Sequence, residues 1–174
     1  MTISNLQWDN FQSALSNASA LKIISGLTNL DQQNVSDVVK AAQQGGATFV
    51  DIAANVELVR LVRGLIDLPI CVSAVDPAKF LPAVEAGADL IEIGNFDAFY
   101  AEGRRFESAE VLALAKETRT LLPNITLSVT VPHSRALDEQ VQLAEALVAA
   151  GADIIQTEGG TSSAPTHSGV LGLI

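Results

Sequence analysis

A chain of 174 residues that is 48% hydrophobic can bury one good core, which excludes a disordered chain and points to a single domain. A formal net charge of −10 and a pI near 4.4 exclude a general nucleic-acid binder, whose affinity comes from Lys and Arg on phosphate, and disfavour an anionic membrane surface. The one cysteine, Cys71, excludes an intramolecular disulfide and suits a reducing compartment, the cytoplasm or a plastid stroma. No apolar run reaches the length of a membrane span, and the N-terminus carries neither a secretory signal nor an Arg-rich transit peptide.

Residues 5–18, with Leu6, Trp8, Phe11 and Leu15 at helical spacing, predict an amphipathic helix that plugs the N-terminal end of a barrel. Trp8 reads as a packing residue. A strand follows over 20–27, then a helix capped by Asp31 and stopped by Gly45-Gly46. The second strand is 47–53 and the second helix runs from Asn55 to Ile66. The third strand is Pro69 to Val75. Asp76-Pro77 opens a short third helix that closes on Gly87. The fourth strand leads into a longer connection, Phe96 to Glu107, with Tyr100, Arg104 and Arg105. A fourth helix runs from Ser108 to near Leu122, a fifth strand over Ile125–Val131, a fifth helix over Leu137–Ala150, and a sixth strand from Ala152 to Thr157.

Three of these units share one design. Gly46, Gly87 and Gly151 each end a helix and are followed by an apolar run whose fifth residue is polar: Asp51, Glu92 and Gln156. A polar side chain in an apolar parallel strand must face something that satisfies it, and in a parallel barrel that is the mouth. Six βα units in series predict a parallel sheet with right-handed crossovers. The rival is a doubly wound sheet, and the lack of an early Gly-x-Gly-x-x-Gly favours the barrel. The fold class is therefore α/β, an aldolase-type TIM barrel. Such barrels take about 250 residues for eight strands, so the chain is expected to stop two units short. Open edges on the first and sixth strands would then favour self-association.

The strings Leu21–Leu27, Phe49–Ala53, Asp89–Asp97, Leu127–His133 and Gln156–Gly160 resemble a family of conserved hypothetical chloroplast reading frames shared by cyanobacteria and algal plastids. The resemblance covers the whole chain. It implies an aldolase-type barrel and a photosynthetic source, and no established activity. A wider likeness is to phosphate-binding barrels such as the tryptophan synthase alpha chain, where a Glu-x-Gly-x-Pro-Phe-x-Asp-Pro strand carries the catalytic acid. Glu92-Ile93-Gly94-Asn95-Phe96-Asp97 keeps the Glu and Gly, lacks the proline and is shorter before the Asp. Glu92 is similar to that acid/base position.

The candidate catalytic residues are Glu92 as acid/base, with Asp51 and Lys22 as partners. Two carboxylates in a partly desolvated site have their pKa values pushed apart, which suits acid/base work. Lys22 can pair with either carboxylate or, if desolvated, serve as a Schiff-base amine. The alternative is a structural ion network of the same three residues. Gly159, Gly160, Thr161 and Ser162 form the candidate anion loop, with Ser128 as a further ligand-binding hydroxyl. His133 is a possible proton carrier in a turn, and Cys71 reads as packing. No His/Cys/carboxylate group has metal spacing, and no cofactor motif occurs. The expected partner is a small, phosphorylated metabolite. The function is then a lyase or isomerase, or alternatively a non-catalytic regulator that binds a metabolite or a protein.

Overall fold

A computed structural model describes residues 4–100 and 102–158. Its six strands are β1 (Lys22–Gly26), β2 (Phe49–Ala53), β3 (Ile70–Ala74), β4 (Leu90–Ile93), β5 (Thr126–Val131) and β6 (Ile154–Thr157). All neighbours are parallel and lie in chain order β1-β2-β3-β4-β5-β6. A doubly wound sheet would reverse its strand order at a switch point; this sheet does not, and curls into part of an aldolase-type barrel.

The helices are α1 (Asn5–Ser16), α2 (Gln32–Gln44), α3 (Val56–Arg63), α4 (Phe80–Ala86), α5 (Asp97–Tyr100), α6 (Ser108–Leu121) and α7 (Leu137–Ala149). Alternate strand residues such as Val50, Ile52, Val72, Ile91, Leu127 and Val129 are fully buried in one core with Val35, Val39, Leu58, Val62, Val111 and Leu147 of the covering helices. At about 25 cal/mol per Å² of apolar area, this outer layer is the main source of stability. The other face of the strands points into the barrel. Its floor is a second cluster, Phe11 of α1 with Phe49, Cys71 and Leu90, flanked by Trp8 and Ile154. Trp8 stacks on Phe11 at 5.1 Å and Phe11 meets Phe49 edge-on. α1 is the plug that the sequence predicts, and Trp8 and Cys71 are packing residues in it.

Two elements differ from expectation. The third helix is broken: Pro77–Lys79 forms a 3-10 turn capped by Asp76, and α4 starts only at Phe80. The second helix ends at Arg63, three residues early, because Gly64 takes its C-cap. The glycines of the repeat behave as predicted. Gly46, Gly87 and Gly151 have φ of 77°, 120° and 97°, where an L side chain is strained.

Two arginine clamps tie the N-terminal ends of the strands. Arg63, at the end of α3, donates to the Gly87 and Leu68 carbonyls and pairs with Asp89, whose carboxylate accepts from the Ile70 N–H. Arg119, in the last turn of α6, donates to the Gly151 and Ile125 carbonyls and pairs with Asp153, whose carboxylate accepts from the Leu127 N–H. The planar guanidinium spans several acceptors at once, which an ammonium cannot do. In the first copy of the repeat Thr48 stands in place of the aspartate, and its hydroxyl accepts from the Leu21 N–H at 2.9 Å.

Candidate active site

Above the apolar floor the inner face turns polar. Lys22 of β1 reaches up one layer to place Nζ 2.7 Å from Asp51 Oδ2 and 2.5 Å from Glu92 Oε2. Its third contact is Gln156 Oε1 at 3.2 Å. An ammonium has three donors, and all three are used. The repeat's three polar residues thus converge on one lysine. Asp51 and Glu92 are almost wholly buried, so they lie inside the barrel, below the strand ends.

The two carboxylates are held differently. Both oxygens of Asp51 lie within 2.7 Å of Ser73 Oγ, and Asn95 Nδ2 donates to that hydroxyl at 2.9 Å. The Asn95 donation leaves the Ser73 proton for Asp51. Glu92 Oε1, by contrast, has only two contacts among the described residues, both long: Thr130 Oγ1 and Gln156 Nε2 at 3.5 Å. Gly94 adjoins it: a Cβ there would come within 2.8 Å of Glu92 Oε1. Lys22, Glu92, Gln156 and Ser128, with Phe49 and Leu90, also line a partly open pocket of about 180 Å³. Among the described residues Ser128 Oγ is buried with no partner.

With both carboxylates ionised and Lys22 charged, the cluster carries one negative charge in a desolvated site. Burial pushes the Asp51 carboxyl up to about 6, against the lowering pull of Lys22 and with the charge of Glu92 adding to the rise. Burial acts alone to lower Lys22, but the neighbouring acidic groups override it and hold the ammonium well above its ordinary 10.5. Among them, Cys71 contributes only where it is itself ionised, and burial pushes that thiol well above its usual range. The groups in direct contact with the ammonium are Asp51 and Glu92. An ammonium held this firmly is a poor amine nucleophile, so the geometry favours the ion-pair role of Lys22 over a Schiff base.

Asp51, Cys71 and Glu92 bring potential ligand atoms within 4.8 Å of one another. That grouping was invisible in the spacing. It does not fit a metal ion, because the Lys22 ammonium already occupies the charge-neutralising position between the carboxylates. The Gly159, Gly160, Thr161 and Ser162 loop lies outside the described residues. A wider cleft of about 800 Å³ opens over the C-terminal ends of β1, β2 and β3, lined in part by Ala53, Asn55, Ser73, Asp76 and Lys79. Through Ser73 it adjoins the Asp51 side of the cluster.

Sequence reasoning passed over Asn95 and Glu158. Asn95 has a positive φ of 57° directly after β4, a conformation Asn tolerates better than most residues. Glu158 follows β6 directly, two positions beyond Gln156, and carrying the period-two count one step past the strand would have reached it.

The sequence pattern of the family described as Protein of unknown function (DUF561) matches residues 4–174. "Uncharacterized protein ycf23" of Cyanophora paradoxa is 47% identical over 156 residues, 89% of this chain. Its namesake in Pyropia yezoensis is 38% identical over 174 residues, the whole of this chain. The chain spans 63% and 62% of the length of these two relatives. Among solved structures, "QR15, an Aldolase" superposes with a TM-score of 0.61 at 22% identity, over 85% of this chain and 69% of its own. A putative deoxyribose-phosphate aldolase from Toxoplasma gondii gives 0.62 at 18%, over 90% and 68%. A phosphonopyruvate hydrolase complex with oxalate and Mg++ gives 0.61 at 14%, over 92% and 64%. These likenesses establish the aldolase-type barrel fold.

Proposed function

The chain belongs to the family described as Protein of unknown function (DUF561), and from that premise we propose a lyase or isomerase that acts on a small phosphorylated metabolite. Glu92 is its acid/base group. Asp51 and Lys22 hold and charge-balance it. The observation that carries this reading is the asymmetry between the two carboxylates. Asp51 is tied at both oxygens, whereas Glu92 lines a partly open pocket and its Oε1 has only long contacts among the described residues. A group that must exchange a proton with a substrate needs one such oxygen. The Asp51 carboxyl, raised to about 6, lets the cluster take up or release a proton near neutral pH, where acid/base catalysts work.

The phosphorylated class is supported by a neighbour's printed name, deoxyribose-phosphate aldolase, and by the Gly159–Ser162 sequence as an anion loop. The algal relatives support a plastid stroma or cytoplasm as its place. Among the described residues no helix is long and apolar enough to cross a membrane.

A second reading is a non-catalytic metabolite binder. It is favoured by the complete use of the three Lys22 donors, which suits a finished structural network. The test is a thermal-shift screen of the full-length protein against phosphorylated and unphosphorylated small metabolites, followed by turnover assays on each hit. Glu92→Gln should keep the fold and the ligand shift while turnover falls by about 10²–10⁴. Turnover that survives the substitution would remove Glu92 from the acid/base role. Ligand shifts without turnover in either form would favour the binder.

A further inference from the structure

One layer above the Lys22 cluster, a second group of titratable side chains closes the same face. Glu158 follows β6 directly and stands two residues beyond Gln156, about 7 Å further toward the C-terminal end of the sheet. Its Oε2 accepts from the Tyr100 hydroxyl at 2.7 Å and from the His133 N–H at 3.0 Å, and lies 2.7 Å from His133 Nδ1. Its Oε1 accepts from the Asp97 N–H at 3.1 Å. One carboxylate thus joins the ends of β4, β5 and β6, with its side chain 7% exposed.

A carboxylate can only accept, so the ring nitrogen facing it must carry a proton. In the neutral imidazole this fixes the tautomer: Nδ1–H donates to Glu158, and Nε2 is left with a lone pair. The ring is further held edge-on against Tyr100, with centroids 5.2 Å apart. The His133 side chain remains 33% exposed, at the end of the sheet where barrels of this fold carry their chemistry. A carboxylate that orients an imidazole, and neutralises it once protonated, is the arrangement a general base needs.

We propose that His133 is a proton-transfer residue of the barrel mouth, with Glu158 as its positioning residue, acting on a hydroxyl-bearing small molecule. In the forward step the hydroxyl proton passes to His133 Nε2. The O–H bonding pair stays on the substrate oxygen, and the imidazolium charge is balanced by Glu158. The reverse step returns the proton. The inference deepens the acid/base reading above by adding a second group at the same mouth.

The test does not depend on knowing the substrate. The full-length protein is labelled with ¹⁵N at its imidazoles, and His133→Gln identifies the signals of this ring. The neutral ring should show a protonated Nδ1 and a bare Nε2. Diethyl pyrocarbonate should modify His133 within about tenfold of the rate for free imidazole, as an available Nε2 requires. Glu158→Ala should abolish the tautomer preference, and Tyr100→Phe, which keeps the carboxylate, should preserve it. A bare Nδ1, or modification slower than that bound, would overturn the proposal. Either failure would leave the Glu92 assignment standing, since Glu92→Gln reads a different group.

Discussion

Lys22 Nζ lies 2.5 Å from Glu92 Oε2, although the residues stand 70 positions apart in the chain. The same ammonium meets Asp51 and Gln156, so one cation organises side chains from β1, β2, β4 and β6. Replacing Lys22 with Met leaves two buried like charges without a counterion. Breaking a buried pair in this way costs about 3–5 kcal/mol. Urea denaturation of Lys22→Met should show that loss, smaller at mildly acidic pH where Asp51 takes up a proton. A loss below about 1 kcal/mol would mean that the cluster is open to water.

The pH dependence of the intact protein has a defined sign. The Asp51 carboxyl is raised from 3.8 to about 6 on folding. Between those values the folded chain binds a proton that the unfolded chain has released. Stability from this group is complete below about pH 4 and declines as pH rises to about 6, by at most about 1.4 kcal/mol per pH unit. Lys22 acts with the same sign at the alkaline end. Its ammonium is raised above 10.5, so the stability it adds is full below that value and lost as pH climbs past it. Denaturant titrations of wild type and Asp51→Asn across the acidic window should show the slope in the first and not in the second.

Gly94 is required by close approach rather than by its backbone angle. A methyl group there would fall on Thr130 Oγ1 and within 2.8 Å of Glu92 Oε1. Gly94→Ala should therefore destabilise by about 1–3 kcal/mol. Adding Thr130→Ala should recover part of it, since the pair shares one space. Simple additivity of the two substitutions would show that the crowding is relieved elsewhere.

The arginine clamps should not tolerate lysine. Arg63→Lys and Arg119→Lys each lose several carbonyl contacts at once, about 2 kcal/mol apiece. The Arg63 substitution should be the more harmful, because both side chains of its pair are 9% exposed, whereas Asp153 is 52% exposed. Midpoints from urea melts rank the two; the reverse order would mean that burial is not what sets their worth.

Much of the barrel could be read in advance because its punctuation is local. Gly46, Gly87 and Gly151 announce helix ends, and the polar residue five places on announces the inner face. Asp51, Glu92 and Gln156 were found by counting, and Lys22 by its place in a strand. The broken third helix was not legible, because Pro77 suits the first turn of an α-helix as well as a 3-10 turn. The meeting of Tyr100, His133 and Glu158 was not legible either. Those residues come from the separate connections after β4, β5 and β6, and their contact depends on how strongly the sheet curls, which no periodicity records.

The paired clamps of Arg63 and Arg119 make the base of the sheet modular. Each secures the base of two adjacent strands with the same arginine, glycine carbonyl and aspartate. The residues at the opposite ends of those strands are unlike one another. A foundation built the same way in both places does not depend on what stands above it. The upper ends can then be rewritten without endangering what stands beneath them. The segments Arg63–Asp89 and Arg119–Asp153 are natural units for exchange when new binding surfaces are grafted onto this scaffold.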